Sequence, residues 1–201
     1  MSMSPRILYA MTVKNRSLTA EDWLIQGFIV LSEGGYSAIK AEAIARKLNV
    51  SKGSFYWHFQ NVPAYKNAML AYWLENGTQR IIDQTENDSQ SPHDKLMLLV
   101  ALSTQPSTYP FDENLAEASI RDWARHEKEA ADVLYRVDQK RLDYLAALFI
   151  NAGFSANRSK QCARLVYGCL IGIPQLPDDS PKRQQTDLKR LLDCLLSTPA
   201  M

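Results

Sequence analysis

Residues 41–59, AEAIARKLNVSKGSFYWHF, carry the pattern that decides the fold. Ala41, Ile44, Ala45 and Leu48 recur at i, i+3, i+4 and i+7, which gives a short helix one apolar face and turns Glu42, Arg46 and Lys47 away from it. Asn49 ends that helix, because asparagine tolerates the left-handed backbone of a sharp reversal at modest cost. Val50 then folds back onto the core, and Ser51 is placed to cap a second helix. In that second helix Phe55 and Phe59 fall four apart on the buried side. Lys52, Gly53, Ser54, Tyr56, Trp57 and His58 occupy its start and its other faces. Two short helices joined by a specified turn, the second dense in hydrogen-bonding side chains, make a helix-turn-helix.

The side chains left outside the core suit a polyanion. Lys40 and Lys52 can neutralise phosphates, while Ser51, Ser54, Tyr56 and His58 can hydrogen-bond phosphates or base edges. Gly53 has no side chain to hold a phosphate off, and the N–H groups and dipole at a helix start favour an anion. Two of these residues have a second reading: Lys40 as a solvated surface lysine, and Trp57 as a core aromatic beside Phe55 and Phe59. Charge is distributed in the same sense. Residues 1–60 hold seven basic side chains against four acidic ones, within a chain whose overall net charge is only +1.

Residues 19–73 resemble the N-terminal domain of the TetR (tetracycline-repressor) family of bacterial regulators. The resemblance rests on Gly35-Tyr36 after an amphipathic first helix, Ile44-Ala45 in the second, and Val50-Ser51-Lys52-Gly53-Ser54 leading into Tyr56-Trp57-His58-Phe59. It implies a three-helix DNA-binding domain over residues 1–66 and a helical ligand-binding and dimerisation domain over 67–201. Two positions depart from the family pattern. Lys40 stands where members often have a phosphate-binding threonine, and Val62 where many have a basic residue that reaches the DNA backbone, a contact Lys66 is placed to supply one turn later. The second half is similar to a TetR subgroup through IRDWAR at 120–125, VDQKR at 137–141 and RLVYG at 164–168.

Outward from the helix-turn-helix the chain reads as helix throughout. Residues 1–17, with Arg6, Lys14 and Arg16, read as a mobile arm, either a disordered terminus or a basic arm that tracks phosphates. Thr19 caps a first helix with Asp22 at its third position, and Trp23, Leu24, Gly27, Phe28 and Leu31 form its stripe, Gly27 permitting a close helix crossing. Asn61 caps a fourth helix running to about Thr85, with Pro63 in its first turn where a missing N–H is harmless. Further helices are expected near 93–103, over 113–125 with Leu115, Ala118 and Trp123 inward, from Glu129 to Gly153, from Ser155 to Pro174, and over 182–197. No strand-like alternation occurs, so the fold class is all-α with roughly nine helices.

Enzyme readings find no support in spacing. His58, His93 and His126 are far apart, with no H-E-x-x-H, no Gly-rich phosphate loop and no nucleophile elbow, so no catalytic residue, metal or cofactor is assigned, and His126-Glu127 reads as a helix terminus with a surface acid. Cys162, Cys169 and Cys194 are odd in number and lie in apolar helical patterns, which fits core roles in a reducing cytoplasm. No apolar run reaches the length of a membrane span. The resulting expectation is a homodimeric, ligand-responsive transcriptional regulator, most often a repressor, on a pseudopalindromic DNA operator. A helical adaptor or small-molecule-binding protein that has lost DNA binding is the alternative. The resemblance implies pairing through the last two helices, with Leu188, Leu192 and Leu195 at the interface, and a cavity for an apolar or aromatic effector lined by Met97, Trp123, Leu145, Phe149 and Tyr167.

Overall fold

A computed structural model describes residues 17–87, 91–177 and 180–197. The arm of Arg6, Lys14 and Arg16 lies outside them. All regular structure among the described residues is helical: α1 (Ala20–Gly34), α2 (Ala41–Lys47), α3 (Lys52–His58), α4 (Val62–Leu74), α5 (Arg80–Glu86), α6 (Pro92–Ser103), α7 (Glu113–Trp123), α8 (Lys128–Asn151), α9 (Ala156–Gly172) and α10 (Pro181–Ser197). A π-helical turn, Glu75–Gln79, joins α4 to α5 without a break, so the run from 62 to 86 is the single fourth helix expected from the sequence. Counted that way, the described residues form nine helices. None of them is long and apolar enough to cross a membrane.

The chain divides into two compact units, one of residues 1–73 with 107–134 and one of 74–106 with 135–201. In the first, α1 opens on a capping box in which the Asp22 N–H donates to Thr19 Oγ1 at 3.3 Å and the Thr19 N–H to Asp22 Oδ2 at 2.7 Å, so two donors at a helix start are satisfied reciprocally. At Gly27 a Cβ would lie 2.1 Å from Tyr65 Oη and 2.7 Å from Met69 Sδ, so α1 and α4 cross where only a hydrogen fits. Tyr65 fixes that crossing by donating its hydroxyl to the Trp23 carbonyl at 2.5 Å. The α4 start is closed by Asn61, whose Oδ1 accepts from the Ala64 N–H at 2.8 Å.

Two features of this unit differ from the sequence expectation. The buried stripe of α7 is Ala116, Ile120 and Trp123, while Leu115 is exposed and Ala118 half-buried, because Ala116 and Ile120 fall on Trp123's face of the helix. The proline-broken segment before α7 is also anchored: Phe111 stacks on Phe28 at 5.1 Å between ring centroids, and Tyr109 stacks on Phe111 at 5.2 Å.

In the second unit the core is shared by α6 (Leu96, Val100), α8 (Leu145, Leu148, Phe149), α9 (Cys162, Val166, Tyr167) and α10 (Leu188, Leu192). The π turn is tied into it by Arg141 of α8. Its Nε donates to Thr78 Oγ1 at 2.9 Å and its Nη2 to the Gly77 carbonyl at 3.1 Å, which satisfies groups where the regular helical ladder is disturbed.

Candidate nucleic-acid interface and regulatory unit

The reversal between α2 and α3 is built as its residue types dictate. Asn49 has φ 56°, its N–H donates to the Arg46 carbonyl at 3.2 Å, and the Val50 N–H donates to the Ala45 carbonyl at 3.0 Å. This pair of bonds terminates α2 while redirecting the chain within two residues. The inward side of α3 is then locked by aromatics. Phe55 is fully buried, edge-on to Trp23 at 5.6 Å and to Tyr65 at 5.2 Å, and Phe59 packs on Tyr65 at 4.8 Å.

With Phe55 facing in, the rest of α3 faces water. Trp57 is 89% exposed and Tyr56 51%, and His58 is exposed as well. Trp57 therefore takes no part in the core, and its core reading is removed. Ser51, Lys52, Gly53 and Lys40 are exposed and Ser54 is half-buried, so the residues picked from sequence gather on α3, the turn before it and the start of α2. Trp57 is thus left almost wholly in water on a short helix anchored by Phe55.

Three local details depart from the sequence reading. Ser51 has N-cap geometry, but its hydroxyl lies 3.2 Å from Ser54 Oγ and makes no cap hydrogen bond to the α3 backbone. Lys52 is already engaged, its Nζ donating to Glu42 Oε1 at 2.6 Å across the turn. That hydrogen bond and charge hold the Glu42 carboxyl below its ordinary range and raise the Lys52 ammonium above its own. Arg46, which sequence reasoning passed over, lines an open groove of about 430 Å³ with Glu42, Ala45, Asn49, Val50, Ser51 and Lys52. The available signal was that Arg46 follows Glu42 by four on the polar face of α2.

Lys66, one turn after Val62, is engaged within its own unit. Its ammonium is 2.6 Å from Glu127 Oε1 and lies over the rings of Trp123 at 5.4 Å and Tyr36 at 5.6 Å, with 18% of the side chain exposed. His126 stacks on Tyr36 at 5.1 Å. The His126-Glu127 pair is thus part of a clamp on α4, because a desolvated ammonium draws a carboxylate and aromatic faces around it.

The family model described as bacterial regulatory proteins, tetR family, matches residues 27–61, from within α1 to the cap of α4. That stretch of the chain is similar to the tetR family. About nine tenths of the chain also has the fold of solved TetR-type regulators. A TetR transcriptional regulator from Legionella pneumophila superposes with a TM-score of 0.73 at 17% identity, over 90% of this chain and 98% of that one. The reduced form of NemR from E. coli gives 0.70 at 19% identity, over 90% and 99%. A structure from Saccharomonospora viridis, described as a transcriptional regulator in complex with choline, gives 0.73 at 13% identity, over 87% and 95%. None of the curated proteins matches the chain.

In the second unit, four of the five effector-site candidates share one core: Leu145, Phe149 and Tyr167 are buried in it and Met97 packs against it. Trp123 belongs to the first unit, buried beneath Lys66. The Tyr167 hydroxyl donates to Asp138 Oδ1 at 2.6 Å and accepts from Arg141 Nη1 at 3.2 Å, so it belongs to the polar network that reaches the π turn. Leu188 and Leu192 are fully buried in the chain's own core, which leaves them no surface for a partner, and only Leu195 of the three interface candidates is half-buried. A leucine stripe shows that a helix face is covered; here its own unit covers most of it.

Proposed function

We propose that the chain is a ligand-responsive transcriptional regulator, acting as a repressor, which binds a pseudopalindromic operator as a homodimer in the cytoplasm. The observation that carries this reading is α3, with Phe55 anchored in the core and Tyr56, Trp57 and His58 projected outward from a helix held by a short, specified turn. Residues 1–66 supply the DNA contact: Lys40, Lys52 and Arg46 to phosphates, Gly53 to a close backbone approach, and Ser51, Ser54, Tyr56, Trp57 and His58 to phosphates, sugars and base edges. One such helix spans too few base pairs for specificity, and a two-fold pair reads two half-sites.

Residues 67–201 carry regulation and pairing. The pairing face we favour is the open side of α9. Leu165 is 54% exposed, and at Gly168 and Gly172, three and seven residues further on, a Cβ would meet nothing within 4 Å, so a second helix can approach the backbone closely. Leu195 of α10 adds to it. The effector we propose is an apolar or aromatic small molecule that packs against Met97, Leu145 and Phe149 and exchanges hydrogen bonds with Tyr167 and its partners Asp138 and Arg141. The choline held by the Saccharomonospora viridis structure supports a small-molecule site in this fold. By linkage, an effector that weakens operator binding must itself bind the operator-bound protein more weakly by the same factor.

Substituting Tyr56 or His58 by Ala tests the reading surface. If these side chains read bases, relative affinities across operator variants change by roughly 1–3 kcal/mol at individual base pairs. Unchanged relative affinities with an overall loss would place them on phosphates, and no loss at all would remove them from the interface and favour an adaptor that has lost DNA binding.

A further inference from the structure

The groove between α2 and α3 holds an acid among the basic residues that the DNA-reading proposal uses. Glu42 Oε1 sits 2.6 Å from Lys52 Nζ, both line the groove with Arg46, and the Glu42 carboxylate also feels the charges of Arg46 and Lys40. Among the described residues Lys40 and Arg46 have no ion-pair partner of their own. The cation one residue past the turn, where a phosphate contact is most directly placed, is therefore the one already occupied.

We infer that Glu42 is an internal competitor for the phosphate of Lys52, a positioning residue that keeps this lysine aimed across the groove in the free protein and subtracts its charge from non-specific DNA binding. This rests on the DNA-reading proposal and deepens it. The physical basis is charge counting. A lysine shared with a carboxylate is part of a neutral pair, so a phosphate passing at non-specific distance gains no net cation and releases no counterion there. Both partners are exposed, and exposed pairs hold weakly, so a phosphate seated in register displaces the carboxylate at little cost. The competitor thereby lowers loose binding more than seated binding, which is a contribution to specificity made by repulsion instead of by a base contact.

The control is present in the same unit. Glu33 pairs with Lys47, also at 2.6 Å and also exposed, but neither lines the groove. The full chain is titrated onto a mixed-sequence duplex between roughly 50 and 200 mM salt, as wild type, Glu42→Gln, Glu33→Gln, Lys52→Ala and the Glu42→Gln/Lys52→Ala double variant. Glu42→Gln is expected to bind more tightly and to steepen the log–log salt dependence by about 0.9, so that its advantage over wild type shrinks roughly threefold across that range. Glu33→Gln is expected to leave the slope unchanged, and Glu42→Gln to leave it unchanged once Lys52 is Ala. A Glu42→Gln slope equal to wild type, an equal steepening from Glu33→Gln, or a steepening that persists without Lys52 overturns the competitor role while DNA reading stands. If wild type itself shows no salt-dependent binding, the DNA-reading proposal falls and the competitor with it.

Discussion

Replacing Gly53 by alanine separates what the fold needs from what DNA needs. The nearest atom to a Cβ at this position is Ser51 Oγ at 3.6 Å, an ordinary van der Waals separation, so the free protein has room for the methyl group. Alanine also restricts the unfolded chain and favours helix, which stabilises by up to about 1 kcal/mol and raises the melting temperature by roughly 2–4 °C per kcal/mol for a chain of this size. Against DNA the sign reverses. If the α3 backbone lies against the phosphodiester chain, the methyl group enters a closed contact, and overfilling a packed contact costs roughly 1–3 kcal/mol. That corresponds to about 5- to 150-fold in affinity for one half-site and to the square of that factor for two engaged together. Differential scanning fluorimetry gives the first quantity and fluorescence anisotropy on an operator duplex the second. A variant that is more stable and binds DNA equally well shows that no close approach occurs at residue 53.

Two further substitutions test pairing and the α4 clamp. Leu165→Glu on the open face of α9 is expected to give a folded monomer by light scattering with weakened operator affinity, whereas Leu192→Glu, which buries a charge in the core, is expected to unfold the chain; a folded dimer from the first refutes the proposed face. Burial pulls the Glu127 carboxyl upward, but the hydrogen bond of Lys66, the neighbouring Trp123 indole and the charge of Lys66 together outweigh it and hold the group below its ordinary 4.5, so its stabilising contribution is complete above that value and is lost as pH falls through the lower folded one. Lys66→Met is accordingly expected to cost roughly 1–3 kcal/mol near neutral pH, where it leaves a partly buried carboxylate alone, and less once Glu127 is protonated; urea midpoints shifted equally at both ends of that range would contradict the clamp.

What could be read from sequence was what is local. The turn at Asn49, the caps at Thr19 and Asn61, the inward Phe55 and the close crossing at Gly27 each follow from one residue's backbone preference or from helical spacing. The misreadings concern partners remote in the chain. The leucines of α10 announce a covered face without saying that α6 and α9 cover it. Lys66 looks like a surface base until Trp123 and Glu127 are brought to it from some sixty positions away. The Lys52–Glu42 pair spans ten residues across a reversal, a contact that no helical periodicity encodes. The π turn at Glu75–Gln79 looks like helix interior, because its stabilising partner, Arg141, belongs to another element.

On the proposed function, two copies of α3 read an inverted repeat. This is tested most directly by selecting bound duplexes from a random pool with the full chain at moderate salt and sequencing the enriched set. One enriched pseudopalindrome is expected, whose half-sites are separated by a multiple of a helical turn, roughly 10 base pairs between centres, and which loses its enrichment when Trp57 is replaced by Ala. A pool that remains random, or that enriches a single unrepeated half-site, would contradict it.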